Sequence, residues 1–105
     1  MFDKFLGKNL MGKMGEMQKQ MEEIKQKLSN ISVVGEAENG KIRVVANGNR
    51  MINSIIIDED FKTTSSISSL QDAIILASNR ALEQAERVEK SEMSHAAMGI
   101  LPGLG

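Results

Sequence analysis

Residues 32–58, SVVGEAENGKIRVVANGNRMINSIIID, decide the fold. Asn39-Gly40 sits between two stretches that alternate apolar and polar residues, the strongest short-range sign of a β-hairpin. A two-residue turn there fixes a register. Val33, Gly35 and Ala37 then oppose Ala46, Val44 and Ile42 on one face. On the other face Glu36 opposes Arg43 and Glu38 opposes Lys41, two cross-strand pairs of opposite charge. A slip of one residue would scatter both sets. A second turn at Asn47–Asn49 leads into a third strand from about Arg50 to Asp58, with Ile55 and Ile57 on the face of Ile42. Ile52 and Ile56 point the other way. Such a strand is either covered on both faces or is an edge that pairs with a second subunit.

Upstream, Leu10, Met14, Met17, Met21, Ile24, Leu28 and Ile31 follow one another at alternating intervals of four and three. That is the a/d seam of a helix over about three heptads. Gly7, Gly12 and Gly15 weaken its front, so fraying is expected before Glu16. A helix of about 26 residues is roughly 39 Å long, more than the small remainder of one chain can cover. Downstream, Asp58 to Ser69 reads as a loop and a helix start. Ser69 with Asp72 forms a candidate capping box, and Ser66 is an earlier candidate cap. Ile67, Leu70, Ile74, Ala77, Ala81, Ala85 and Val88 then give a helix stripe to about Met93, with small residues permitting close approach. The end, MGILPGLG, holds the only Pro and reads as a loose tail over about 94–105. The expected architecture is one α+β domain over residues 1–105: long helix, three-stranded antiparallel meander, long helix.

Composition removes several functional classes. The chain has 105 residues and no Cys, which excludes disulfides and thiolate metal sites. The start, MFDKFLGKNL, lacks the apolar core of a secretory signal, and no run approaches the length of a membrane span. There is no Walker A pattern and no GxGxxG; Gly12-Lys13 and Gly15 follow no strand. His95 is the only histidine and has no partner set for catalysis or zinc. Asp58-Glu59-Asp60 lacks the spaced ligands of a calcium loop and reads as a solvated loop. Nothing points to an enzyme, a cofactor or a metal.

Charge is distributed unevenly although the net value is −1. Residues 1–30 carry six Lys against four acids, whereas residues 66–105 carry three bases against five acids. Lys4, Lys8, Lys13, Lys19, Lys25 and Lys27 run along the polar side of the first helix. Their plain reading is a solvated face that also sets helix pairing; the functional reading is a row of phosphate contacts. Gln18, Gln20 and Gln26 could add base contacts but are ordinary helix-surface residues. Arg80, Arg87 and Lys90 share one face of the last helix. They alternate with Glu83, Glu86 and Glu89, which favours ion pairs within the helix.

The ordered set of short pieces resembles a known family. A Met- and Gln-rich first helix precedes Gly40-Lys41-Ile42-Arg43-Val44, Asn47-Gly48 and Ile55-Ile56-Ile57-Asp58. Leu70-Gln71-Asp72 and Ala77-Ser78-Asn79-Arg80-Ala81 follow, and the chain closes on Leu101-Pro102-Gly103-Leu104. The pattern is similar to the YbaB/EbfC family of bacterial nucleoid-associated proteins over nearly the whole chain. The resemblance implies a homodimer joined through its sheets, with long helices projecting as arms, that binds double-stranded DNA in the cytoplasmic nucleoid and compacts DNA or modulates transcription. It places DNA contacts on Lys4, Lys8, Lys13, Lys19, Lys25, Lys27, Arg80, Arg87 and Lys90. It places dimerisation on the strands, here Ile42, Val44, Ile52, Ile55, Ile56 and Ile57. One departure is Glu59 to Ser66, where the family usually has a Leu-Leu and acidic run; it leaves the second helix's start unsettled.

The methionine seam keeps three readings open: an intrachain core, an exposed groove for a partner, or a dimer seam. Its narrow a/d pattern favours helix-on-helix packing, with Met11 the most exposed. An alternative function is a protein-interaction module or small chaperone-like dimer using the Met helix. A peripheral membrane contact through Phe2, Phe5 and Leu6 is disfavoured by Asp3 and the nearby glycines.

Overall fold

The computed structural model describes residues 2–100, with side chains from 15 to 98. The order is α1 (Phe2–Ser29), β1 (Ser32–Ala37), β2 (Ile42–Asn47), β3 (Ile52–Ile57), α2 (Glu59–Thr64) and α3 (Ile67–Ile100). The strands form one antiparallel sheet in the order β1-β2-β3. The molecule is elongated, 74 × 26 × 18 Å, because α1 and α3 extend well beyond the sheet.

The hairpin register is the one expected: Val33, Gly35 and Ala37 pair with Ala46, Val44 and Ile42. Arg43 and Glu36 form the cross-strand ion pair at 3.2 Å. The second expected pair does not form among the described residues. Glu38 and Asn39 take φ of +53° and +54°, so Glu38 already belongs to the turn and no longer projects beside Lys41. The Lys41 N–H instead donates to the Glu38 carbonyl at 3.2 Å.

The core lies between this hairpin and α3. Ile42, Val44 and Ala46 are fully enclosed, facing Ala73, Ala77 and Ala81, with Val33, Ile57, Phe61, Leu70 and Ile74 around them. Ile67, expected to start the buried stripe, is 76% exposed. Gly35 allows the helix to sit directly on the strand. A Cβ there would lie 2.1 Å from the Ala77 carbonyl oxygen and 2.3 Å from the Ala81 nitrogen. The small residues of α3 and the glycine of β1 therefore serve one close backbone contact.

Two sequence expectations change in the third strand and after it. A bulge between Val45 and Ala46 places Ile52 opposite Ala46, on the α3 side of the sheet rather than with Ile56. The acidic segment after β3 is not a loop. Asp58 caps α2, its carboxylate accepting the Phe61 N–H at 3.1 Å, and Glu59 and Asp60 occupy the first turn, where the helix dipole favours negative charge. Ser66, not Ser69, starts α3: its Oγ accepts the Ser69 N–H at 3.1 Å. The helix then continues past Met93 to Ile100, so residues 94–100 are helix rather than tail. Residues 101–105 lie outside the described part. The α1 backbone is also helical from Phe2 through its glycines, since extending an existing helix is far easier than nucleating one.

Candidate nucleic-acid interface

The turn Asn47–Met51 anchors α1 to the body. An α-helix ends with four carbonyls lacking helical partners, and here those of Gln26, Lys27 and Leu28 find donors, as does the Lys25 carbonyl just before them. Asn49 Nδ2 donates to Lys25 O at 2.9 Å and Ser29 Oγ to Gln26 O at 2.6 Å. The Asn30 N–H donates to Lys27 O, and the N–H groups of Gly48 and Ile31 to Leu28 O. Gly48 has no room for a side chain, since a Cβ would meet Leu28 at 2.9 Å. The turn is itself held by Asn47 Oδ1, which accepts from the N–H groups of Asn49 and Met51. The Asn-Gly-Asn run marks this turn in the sequence, but its role as the anchor of α1 emerges only in the fold.

From that anchor α1 leaves the body beside α3. Burial along its seam falls away quickly: Leu28 is 3% exposed and Ile24 half-buried, but Met21 and Met17 are 53% and 60% exposed. Among the described side chains the core reading of the seam therefore holds only for the last turns. Beyond them Met17, Met21 and Met93 line an open groove of about 660 Å³ between α1 and α3. Leu10, Met11 and Met14 lie outside the described side chains.

Two ion pairs join α3 to α1 and to the turn near this groove. Lys27 Nζ meets Glu92 Oε2 at 2.9 Å, joining α1 to α3. Arg50 Nη2 meets Glu89 Oε1 at 3.0 Å, joining the turn to α3. Neither Glu89 nor Glu92 was singled out for such a role by sequence, because their partners are remote in the chain.

The predicted cations are thus differently placed. Lys4, Lys8 and Lys13 lie outside the described side chains. Lys19, Lys25 and Lys27 are exposed but do not form one row, since residues two and six apart stand about 160° and 120° apart around a helix. They surround the arm instead, with Lys27 turned to Glu92. On α3, Arg80 Nη1 donates to the Glu36 carbonyl at 2.7 Å, which ties it to the end of β1. Lys90 pairs with Glu86 at 3.1 Å, the intrahelical pairing expected. The Glu86 carboxyl is held below its ordinary range, first by the hydrogen bond from Lys90, then by the charges of Lys90 and Arg50. Arg87 and His95 are exposed.

The strand residues separate in the same way. Ile42 and Val44 have no exposed surface, because α3 covers them within one chain; they have none to offer a partner. Ile52, Ile55 and Ile56 are 45%, 46% and 54% exposed, and Ile57 is half-buried.

Among the described residues no group of three or more His, Cys, Asp or Glu is arranged to hold a metal, and no helix is long and apolar enough to cross a membrane. The chemistry on view is borne on helix surfaces: lysines around one arm, an arginine on the other, and an apolar groove between. The chain belongs to the YbaB/EbfC DNA-binding family, whose sequence model it matches over residues 5–100. It is 37% identical over 98 residues to a nucleoid-associated protein of Ruminiclostridium cellulolyticum, covering 91% of this chain and 85% of that one. It is 34% identical over 101 residues to a nucleoid-associated protein of an Exiguobacterium species, covering 89% and 96% of the two chains. Its fold is similar to the crystal structure of an uncharacterized protein of Helicobacter pylori, with a TM-score of 0.62 and 16% identity over 84% of this chain and 98% of that one.

Proposed function

We propose that this chain is a non-catalytic, nucleoid-associated protein of the bacterial cytoplasm that binds double-stranded DNA as a homodimer with little sequence preference, acting on DNA compaction or transcription. The observation that carries the reading is the family match across residues 5–100. The geometry adds a physical route: cations spread around α1 reach phosphates from several directions, and phosphate contact positions a protein on DNA without reading sequence. Among the described residues, Lys19 and Lys25 on α1 and Arg87 on α3 are the exposed candidates whose side chains form no ion pair or hydrogen bond, with Lys4, Lys8 and Lys13 further along the same arm.

Support for a homodimer comes from the incomplete cover of the sheet. α3 lies over β1 and β2 and barely touches β3. Ile55 and Ile52 are therefore left half-exposed on the α3 side of the sheet. Ile75 and Leu82 lie seven residues apart on α3, and Leu82 is seven short of Glu89, which reaches Arg50 in the turn before β3. That heptad spacing puts them on the β3 flank, where Ile75 is 58% exposed. The resulting apolar strip is where a second copy completes the core.

The test is fluorescence anisotropy of a labelled duplex of roughly 30 base pairs, a length that offers several turns of phosphates, titrated at several salt concentrations. The expected result is an affinity that falls steeply with salt. A Lys19→Glu/Lys25→Glu variant should bind at least about tenfold more weakly at low salt, because each phosphate left unneutralised no longer releases its counterions. Equal binding by that variant would remove the site from α1. No binding by the parent even at low salt would favour the second reading, an interaction module using the Met17, Met21 and Met93 groove.

A further inference from the structure

We infer that Met17, Met21 and Met93 form an oxidation site that controls how firmly α1 is held against α3. All five methionines with described side chains are at least 40% exposed, and none belongs to the buried core. Three of the five converge: Met17 and Met21 on α1 and Met93 on α3 line the same apolar cleft with Ile24, Ala96 and Ala97. Above Ile24 this cleft is the meeting place of the two arms, since the ion pairs and hydrogen bonds that fix α1 lie at its base, from Lys25 to Ser29. The chain holds no cysteine, so thioethers are its only sulfur.

The reactant is a hydroperoxide. One oxygen passes to the thioether sulfur, which gives up two electrons; the O–O bond breaks, a sulfoxide forms, and the peroxide leaves as water or alcohol. Sulfoxide is polar and accepts hydrogen bonds, so it draws the side chain out of an apolar contact towards solvent, and reductases reverse it. Because none of the described methionines belongs to the sheet–α3 core, the change acts on the arms and spares the body. A helix released from its neighbour is only marginally stable in water, so oxidation loosens α1. Where the arms hold DNA, grip and oxidation are coupled; the arm effect itself does not depend on that reading.

Hydrogen exchange of the full chain tests it, with mass spectrometry to confirm sulfoxide at the three positions. After peroxide treatment, exchange in residues 15–23 should accelerate at least about tenfold, the response expected of a locally weakened segment. Residues 32–47 and 73–85 should not change, and methionine sulfoxide reductase should restore the original rate. Met17→Leu/Met21→Leu/Met93→Leu keeps the apolar contact without the sulfur and should ignore peroxide, whereas Met51→Leu/Met98→Leu should respond like the parent. Unchanged exchange in fully oxidised protein would overturn the inference, and so would an equal response in the triple leucine variant. No DNA is present, so a failed DNA titration leaves this result standing, and the reverse.

Discussion

At the scale of single residues, Gly35 is where the fold tolerates least. The sheet and α3 meet backbone to backbone there, and any Cβ falls inside the contact distance of the Ala77 carbonyl and the Ala81 nitrogen. Backbone on both sides cannot step aside as a flexible side chain would. Gly35→Ala should therefore destabilise the protein by about 1–3 kcal/mol, the usual cost of overpacking, read as a lower urea midpoint. Gly48 sits in a comparable position, but its neighbour is the end of α1, so its role is to hold the arm rather than the core. Hairpin and core could be read from neighbouring letters because alternation and turn chemistry are local. The partners of Arg50 and Lys27 could not, because each pairs with a residue brought near only by folding.

At the scale of elements, α2 shows how the same three acids change meaning with context. As isolated letters Asp58, Glu59 and Asp60 look like a solvated loop. Placed directly after β3, whose last residue is Ile57, Asp58 becomes a cap and the next two sit at the favourable end of the dipole. The Asp58 N–H also donates to the Lys41 carbonyl at 2.8 Å, tying the strand's end to the first hairpin. Asp58→Ala should cost about 1 kcal/mol through the missing cap, again visible in urea unfolding. Asp58→Asn, which can still accept from Phe61, should recover most of that loss. α1 is the opposite case. Its seam is regular over several heptads, yet among its described side chains only those of the last turns are buried, since periodicity records which side of a helix is apolar and not what lies beside it.

At the scale of the whole molecule, elongation and incomplete cover go together. Two long helices that run beyond a three-stranded sheet, with α3 covering only β1 and β2, leave the β3 isoleucines and the groove methionines half-exposed. Ile55→Lys/Ile56→Lys should remove the proposed dimer while sparing the core, which rests on Ile42, Val44 and the alanines of α3. Sedimentation should then give the 11.5 kDa mass of one chain in place of twice that value. A variant that stays dimeric would move the interface away from β3. Loss of the dimer should also weaken DNA binding, because two linked sets of cations bind one duplex more tightly than either alone.

The sequence by itself determined the order of the main elements, the hairpin register, the alanine stripe of α3 and the family, since each is written in local periodicity, turn chemistry or ordered motifs. Only the tertiary structure decided which apolar residues are covered. Ile42 and Ile55 carry the same side chain on the same face of one sheet, yet α3 lies over the first and leaves the second half-exposed. It also decided which charges are engaged: Lys27, Arg50 and Arg80 are committed to partners 65, 39 and 44 residues away. Burial and charge pairing depend on what the fold brings alongside, and that neighbour is not written next to the residue in the chain.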